Sequence, residues 1–168
     1  AWGGPITSTE DLVRMSGFMD SKLMRAPGIM KSRLLRRPLG KNLGAAVGRE
    51  IRPEKWVFII GCYNSGTTLL NSVLAKHPEI GSLPYEGVAL TDQLPMPEQF
   101  GWPRLWEACE SEMAFPAIDH VQAARRVKRQ WSLSYPRGCP VLLEKSIANA
   151  CRIPFLERNF SPAHFIYI

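Results

Sequence analysis

The most constraining feature of the chain is the stretch Gly61-Cys62-Tyr63-Asn64-Ser65-Gly66-Thr67-Thr68. Before it, Trp56-Val57-Phe58-Ile59-Ile60 is a short apolar run of β-formers, bounded by charge and by Gly, which predicts a buried strand. After it, Thr67 to Lys76 reads as a helix with Leu69, Leu70, Val73 and Leu74 on one side, stopped by His77-Pro78. Gly61 and Gly66 permit backbone geometry that a side chain would block. Successive N–H groups of the loop and of the first helical turn then converge on one spot, and together with the helix dipole they form an anion site. Ser65, Thr67 and Thr68 add hydroxyl donors.

The spacing is that of a phosphate-binding loop, GxxxxGK[ST], with Thr67 in place of the lysine. A nucleotide triphosphatase uses that lysine on the β- and γ-phosphates and a Ser/Thr on magnesium. Without it, a less charged phosphate-type group handled without metal fits better than triphosphate hydrolysis. A nucleotide kinase or triphosphatase of the same fold stays the enzymatic alternative, which magnesium-dependent ATP binding would favour. The competing reading of a glycine-rich turn with no ligand does not explain why the required strand and helix flank the loop.

Further along, residues 81–104 are rich in Pro and Gly and predict mostly loop. Trp102–Met113 and Asp119–Trp131 are helix candidates. The second has Val121, Ala124 and Val127 facing inward, with Arg125, Arg126, Lys128 and Arg129 mostly outward. Val141–Leu143 predicts a short buried strand, Ile147–Asn159 a helix irregular at Pro154, and Phe165–Ile168 another strand. Strands alternating with helices imply an α/β fold, a P-loop-like parallel sheet flanked by helices. Three strands are few for a sheet. The chain also starts at Ala1 and stops at Ile168 inside an apolar run. Both features lead us to expect a domain incomplete at its C-terminus, a piece of a longer protein.

The net charge of +6 lies in the N-terminal third: residues 1–55 hold 11 Lys/Arg against 5 Asp/Glu, and the remainder balances. We therefore divide the chain into a basic arm, 1–52, and an α/β domain, 53–168. The arm is densest from Lys31 to Lys41. One reading is a contact with phosphate, a membrane surface or an acidic partner; the other is a partly helical lead-in that packs its Met and Leu side chains on the core. Met15, Met19, Met24 and Met30 read as packing. Basic residues without base-stacking aromatics do not make a nucleic-acid module. No apolar run approaches the length of a membrane helix, and this leads us to expect a cytoplasmic protein. Cys62, Cys109, Cys139 and Cys151 lack metal-ligand spacing and read as free thiols, and His120 and His164 likewise suggest no metal. His77 reads as a helix stop. Trp102, Trp106 and Trp131 sit at spacings more typical of core than of an acceptor pocket.

Val57-Phe58-Ile59-Ile60-Gly61, then Ser65-Gly66-Thr67-Thr68-Leu69-Leu70 and His77-Pro78, together resemble the sulfotransferases. These enzymes transfer a sulfuryl group from 3′-phosphoadenosine 5′-phosphosulfate (PAPS). A second segment strengthens the likeness. Glu144-Lys145-Ser146, then Ala148-Asn149-Ala150-Cys151-Arg152-Ile153-Pro154-Phe155-Leu156, Pro162 and the strand Phe165–Ile168 resemble the carbohydrate and protein-tyrosine branch. The resemblance spans roughly Lys55 to Ile168.

The resemblance implies that Cys62, Tyr63, Asn64, Ser65, Gly66, Thr67 and Thr68 hold the 5′-phosphosulfate of PAPS. It implies that no metal takes part, and that the acceptor is a hydroxyl on a sugar, peptide tyrosine, lipid or small metabolite. Lys145 takes the position of a lysine placed near the transferring group; the competing reading is a surface Lys paired with Glu144. Glu86 is the candidate base that takes the acceptor proton, with Asp92 as competitor. Asn64 stands where the family usually has Lys or Arg. Its amide can donate a hydrogen bond to the leaving oxygen but carries no charge, so Lys145 or a basic residue from elsewhere has to supply it. Asn64→Lys should then raise the rate. A sulfotransferase-like binding protein without catalysis is the non-enzymatic alternative. In the family, an Arg and a Ser that grip the 3′-phosphate follow the strand equivalent to Phe165–Ile168. The chain as given is therefore expected to bind PAPS weakly and to be inactive alone.

Overall fold

A computed structural model describes residues 33–114 and 120–168. Helix α1 (Pro38–Val47) starts on a proline, which costs nothing where the N–H has no intrahelical acceptor. Strand β1 (Lys55–Ile60) leads through the glycine loop into helix α2 (Thr67–Leu74) and then strand β2 (Ile80–Ser82). Tight helical turns follow at Gly87–Leu90, Pro97–Phe100, Trp106–Cys109 and Glu110–Met113. Helix α3 (Val121–Ser132) and strand β3 (Val141–Lys145) come next. A 3₁₀ stretch (Ile147–Arg152) then runs into helix α4 (Ile153–Asn159), and strand β4 (Ala163–Tyr167) closes the order.

The four strands form one parallel sheet in the order β2-β3-β1-β4. β1 is central, and Phe58 and Ile59 are wholly buried, as expected for a parallel strand covered on both faces. Over one face Trp56, Phe58, Trp131, Tyr135, Phe155 and Phe160 form an aromatic cluster, with Phe160 standing edge-on to Trp56 at 5.1 Å and to Phe58 at 5.7 Å. A smaller cluster of Cys109, Met113, Ala148 and Cys151 joins the 106–113 turns to the 3₁₀ stretch after β3. All four cysteines are free thiols.

Several expectations are corrected. Strand β2 was not anticipated: three residues, one of them Gly81, are too few to show a period, and pairing with β3 creates the strand. Trp102–Met113 is not one helix. Residues 102–105 are irregular, and the segment after them breaks into a 3₁₀ turn and one α turn. The 147–159 segment changes from 3₁₀ to α at Ile153, because Pro154 lacks an N–H and is tolerated only in a first turn. In α2, Leu70 and Leu74 are half-buried, whereas Leu69 and Val73 face solvent. In α3, Val121 is exposed, and Ala124, Val127, Gln130 and Trp131 make the inward face.

Lys31, Asp119 and the methionines at 15, 19, 24 and 30 lie outside the described residues. The described part of the lead-in lies on the rest of the structure. Leu35 is buried in the main core, and α1 packs on α3. There Gln130 Nε2 donates to the Lys41 carbonyl at 3.1 Å, and Arg126 Nη2 donates to Asn42 Oδ1 at 2.8 Å.

Candidate functional site

The loop after β1 is built by its backbone. Gly61 has φ 148°, and a Cβ there would lie 2.0 Å from the Ile168 carbonyl oxygen, so only glycine lets the end of β4 pass. Asn64 has φ 65° and Gly66 has φ 93°, both left-handed; asparagine tolerates this better than most side chains do. Ser65 Oγ donates to the Cys62 carbonyl at 2.8 Å and ties the loop to itself. Gly66 is the N-cap of α2 and no side chain caps it. The first-turn N–H groups therefore keep their donors for whatever occupies the space in front.

That space is a cleft of about 520 Å³, lined by Tyr63, Asn64, Gly66, Thr67 and Thr68 on one side. Glu86, Met96, Glu98, Arg104, Lys145 and Ile147 complete it. A smaller depression of about 320 Å³ near Arg49 and Arg137 lies at the other end of the strands and holds none of these groups. The cleft instead sits at the C-terminal ends of adjacent parallel strands, where Ile59 of β1 faces Lys145 of β3, the usual ligand position in an open sheet.

Lys145 Nζ donates to Glu86 Oε1 at 2.5 Å. The competing reading of a Glu144–Lys145 surface pair does not hold, for a simple reason. Successive residues of a strand point to opposite faces, so Lys145 enters the cleft while Glu144 is wholly buried. Glu144 Oε1 accepts from the Gly87 N–H at 2.7 Å and from the Ser146 hydroxyl. Its other oxygen accepts from Asn149 Nδ2 at 2.8 Å. Asn149 Oδ1 in turn accepts from the buried Arg152 at 2.9 Å. Burial pushes the Glu144 carboxyl up to about 7, against the pull of these donors.

This network fixes the loop that carries Glu86. The Val88 N–H donates to Ser146 Oγ at 3.3 Å, and Trp131 Nε1 donates to the Gly87 carbonyl at 3.0 Å. From the lead-in, Arg36 lies 4.7 Å over the Tyr85 ring and Lys41 Nζ donates to the Thr91 carbonyl at 2.8 Å. Asp92, the competing base, is engaged elsewhere. Arg126 grips both its oxygens at 2.6–3.2 Å, and this holds its carboxyl far below the usual range.

Of the residues expected to act, Tyr63, Asn64, Gly66, Thr67, Thr68, Glu86 and Lys145 meet in the cleft. Cys62 and Ser65 do not line it: Cys62 Sγ lies 3.8 Å from the Tyr167 hydroxyl, and Ser65 serves the loop. Burial and the charges of Glu98 and Glu86 push the Tyr63 phenol up. Sequence reasoning missed Arg104, which stacks 4.9 Å over the Tyr63 ring, because an arginine in a Pro/Gly-rich loop carries no periodic signal. Of the other residues weighed, Trp131 is core, Trp102 is exposed, and His77 Nδ1 accepts the Glu79 N–H at 3.3 Å just past α2. Among the described residues, no group of three His, Cys, Asp or Glu could hold a metal ion.

Comparison with known families gives a match. The profile described as "Sulfotransferase family" matches residues 57–168, two thirds of the chain. The chain belongs to the sulfotransferase family. No curated protein and no solved structure matches it. The match begins inside β1 and runs through β4, so it takes in every sulfotransferase cleft residue named above. Family membership carries sulfuryl transfer as the class of activity. Among the described residues of this sulfotransferase, no helix is long and apolar enough to cross a membrane.

Proposed function

We propose that the protein transfers a sulfuryl group from PAPS to the hydroxyl of a sugar, peptide tyrosine, lipid or small metabolite. One observation carries the reading: the uncapped start of α2 and the Glu86–Lys145 pair open into the same cleft. The residues present suit a phosphosulfate. Helix N–H donors, the Thr67 and Thr68 hydroxyls and the cations Arg104 and Lys145 surround one space.

In this reading Tyr63 to Thr68 seat the 5′-phosphosulfate. Glu86 accepts the proton of the acceptor hydroxyl as that oxygen bonds to sulfur. The bond from sulfur to the bridging phosphate oxygen breaks, and its electron pair stays on that oxygen. The products are the sulfate ester and adenosine 3′,5′-bisphosphate. Lys145 orients Glu86 and faces the transferring group. Much of the rate comes from alignment of the two reactants.

The test uses protein expressed from its complete reading frame, PAPS labelled in the sulfuryl group and a panel of hydroxyl acceptors. Transfer of label is expected, and Glu86→Gln should lower kcat by about 10²–10⁴-fold, the usual worth of a positioned base. If PAPS neither binds in calorimetry nor passes its label on, the reading is wrong.

A further inference from the structure

The loop residue before Ser65-Gly66-Thr67 is neutral, yet a cation does stand beside it. Arg104 arrives from the loop before the 106–113 turns and brings Nη2 to 3.4 Å from Asn64 Oδ1 while its guanidinium covers the Tyr63 ring. Its backbone has φ 65°. An arginine seldom adopts this left-handed conformation, and it persists only where the surroundings hold it. Among the described residues, no carboxylate lies within ion-pair distance of Arg104, whereas Lys145 is taken by Glu86. Among the described residues, the cleft thus holds two acids, Glu86 and Glu98, and two cations, of which Arg104 is the one not paired with a carboxylate.

We propose that Arg104 is a catalytic residue that supplies, from a distant loop, the positive charge that Asn64 does not. The inference rests on the sulfuryl-transfer reading above. When sulfur leaves the bridging oxygen, the electron pair stays on the 5′-phosphate, and the Arg104 N–H groups stabilise that charge without giving up a proton. The fork of guanidinium donors suits a phosphate better than a single ammonium does. The Asn64 oxygen faces Arg104, which leaves the Asn64 N–H donors for the same anion. One neutral residue in the loop and one arginine across the cleft then perform the work of a single loop cation.

The experiment compares wild type, Arg104→Gln, Asn64→Lys and the double variant, each from the complete reading frame. Single-turnover consumption of PAPS is followed alongside calorimetry with PAPS and with adenosine 3′,5′-bisphosphate. Arg104 is exposed, so its replacement should leave the fold intact, and unchanged melting checks this. Arg104→Gln should slow consumption about 10²–10³-fold, the usual worth of one donor to a developing oxyanion. Asn64→Lys, expected from the sequence alone to raise the rate, should instead give little where Arg104 already supplies the charge, but recover at least about tenfold in the Arg104→Gln background. Consumption at the wild-type rate by Arg104→Gln overturns the proposal. So does a slow Arg104→Gln that Asn64→Lys cannot rescue, since the arginine would then act on loop shape rather than as charge. In both cases PAPS binding and turnover by wild type leave the sulfotransferase reading standing. Wild type that binds neither nucleotide removes that reading and this one together.

Discussion

Two neighbours on β3 divide the labour of the site. Lys145 meets Glu86 in the open cleft, and Glu144, pointing the other way, holds the N–H of the residue after Glu86. The buried carboxyl makes stability depend on pH. Its pKa is about 7 in the folded protein against 4.5 for an ordinary glutamate. Between those values the folded state keeps a proton that the unfolded chain has lost. Stability is therefore highest below about pH 4.5 for this group, falls through the window and is fully lost above about 7, a change on the order of 3 kcal/mol. Glu144→Gln removes the titration. It also places an amide N–H₂ against the Asn149 donor, which costs about 1–3 kcal/mol at all pH values. Urea unfolding at pH 5 and pH 8 should show a smaller drop in the variant, and equal drops would exclude Glu144 as the source.

The loop between α2 and α3 is pinned from three sides: by β3 through Glu144 and Ser146, by α3 through Trp131, and by the lead-in through Arg36 and Lys41. Gly87 sits where these converge. A Cβ there would lie 2.5 Å from Trp131 Cζ2 and 2.7 Å from Glu144 Oε1, and both neighbours are buried. Gly87→Ala should cost about 1–3 kcal/mol by overpacking and, by moving Glu86, lower kcat more than it raises KM. A melting curve and steady-state kinetics check both. The elements that flank the loop were legible in the sequence for physical reasons. β1 is an unbroken apolar run, and α2 follows its glycines directly. The loop that joins them was legible too, because its glycines and hydroxyl residues are consecutive in the chain. β2 was not, since its three residues are a strand only beside β3. The pairing of Glu86 with Lys145 joins residues 59 apart, and no local pattern encodes it. Glu86 and Lys145 were singled out by family resemblance, and their contact came from the fold. Arg104 had neither kind of signal.

At the scale of the molecule, apolar surface stays exposed on α2 and at the β4 edge among the described residues. Leu69 and Val73 are 70% and 54% exposed on α2, and β4 is paired on one side only among the described residues, with Tyr167 exposed at its end. Apolar patches and open strand edges promote association. The 168-residue chain should therefore sediment as a concentration-dependent mixture. The pair Leu69→Lys and Val73→Lys should reduce the larger species without changing the melting temperature. An unaltered distribution would shift the cause to the β4 edge. The sheet order has one more consequence, for synthesis. β1 forms no ladder with the strand nearest in sequence; its partners are β3 and β4, so Lys55 waits for Val141 and Trp56 for Ala163. At the ~5–20 residues per second of translation, the most apolar of the described strands leaves the ribosome about 4–17 s before its first partner is made. For that interval Trp56, Phe58, Ile59 and Ile60 belong to a nascent chain with no sheet to join, which makes this stretch the natural place for a chaperone to hold.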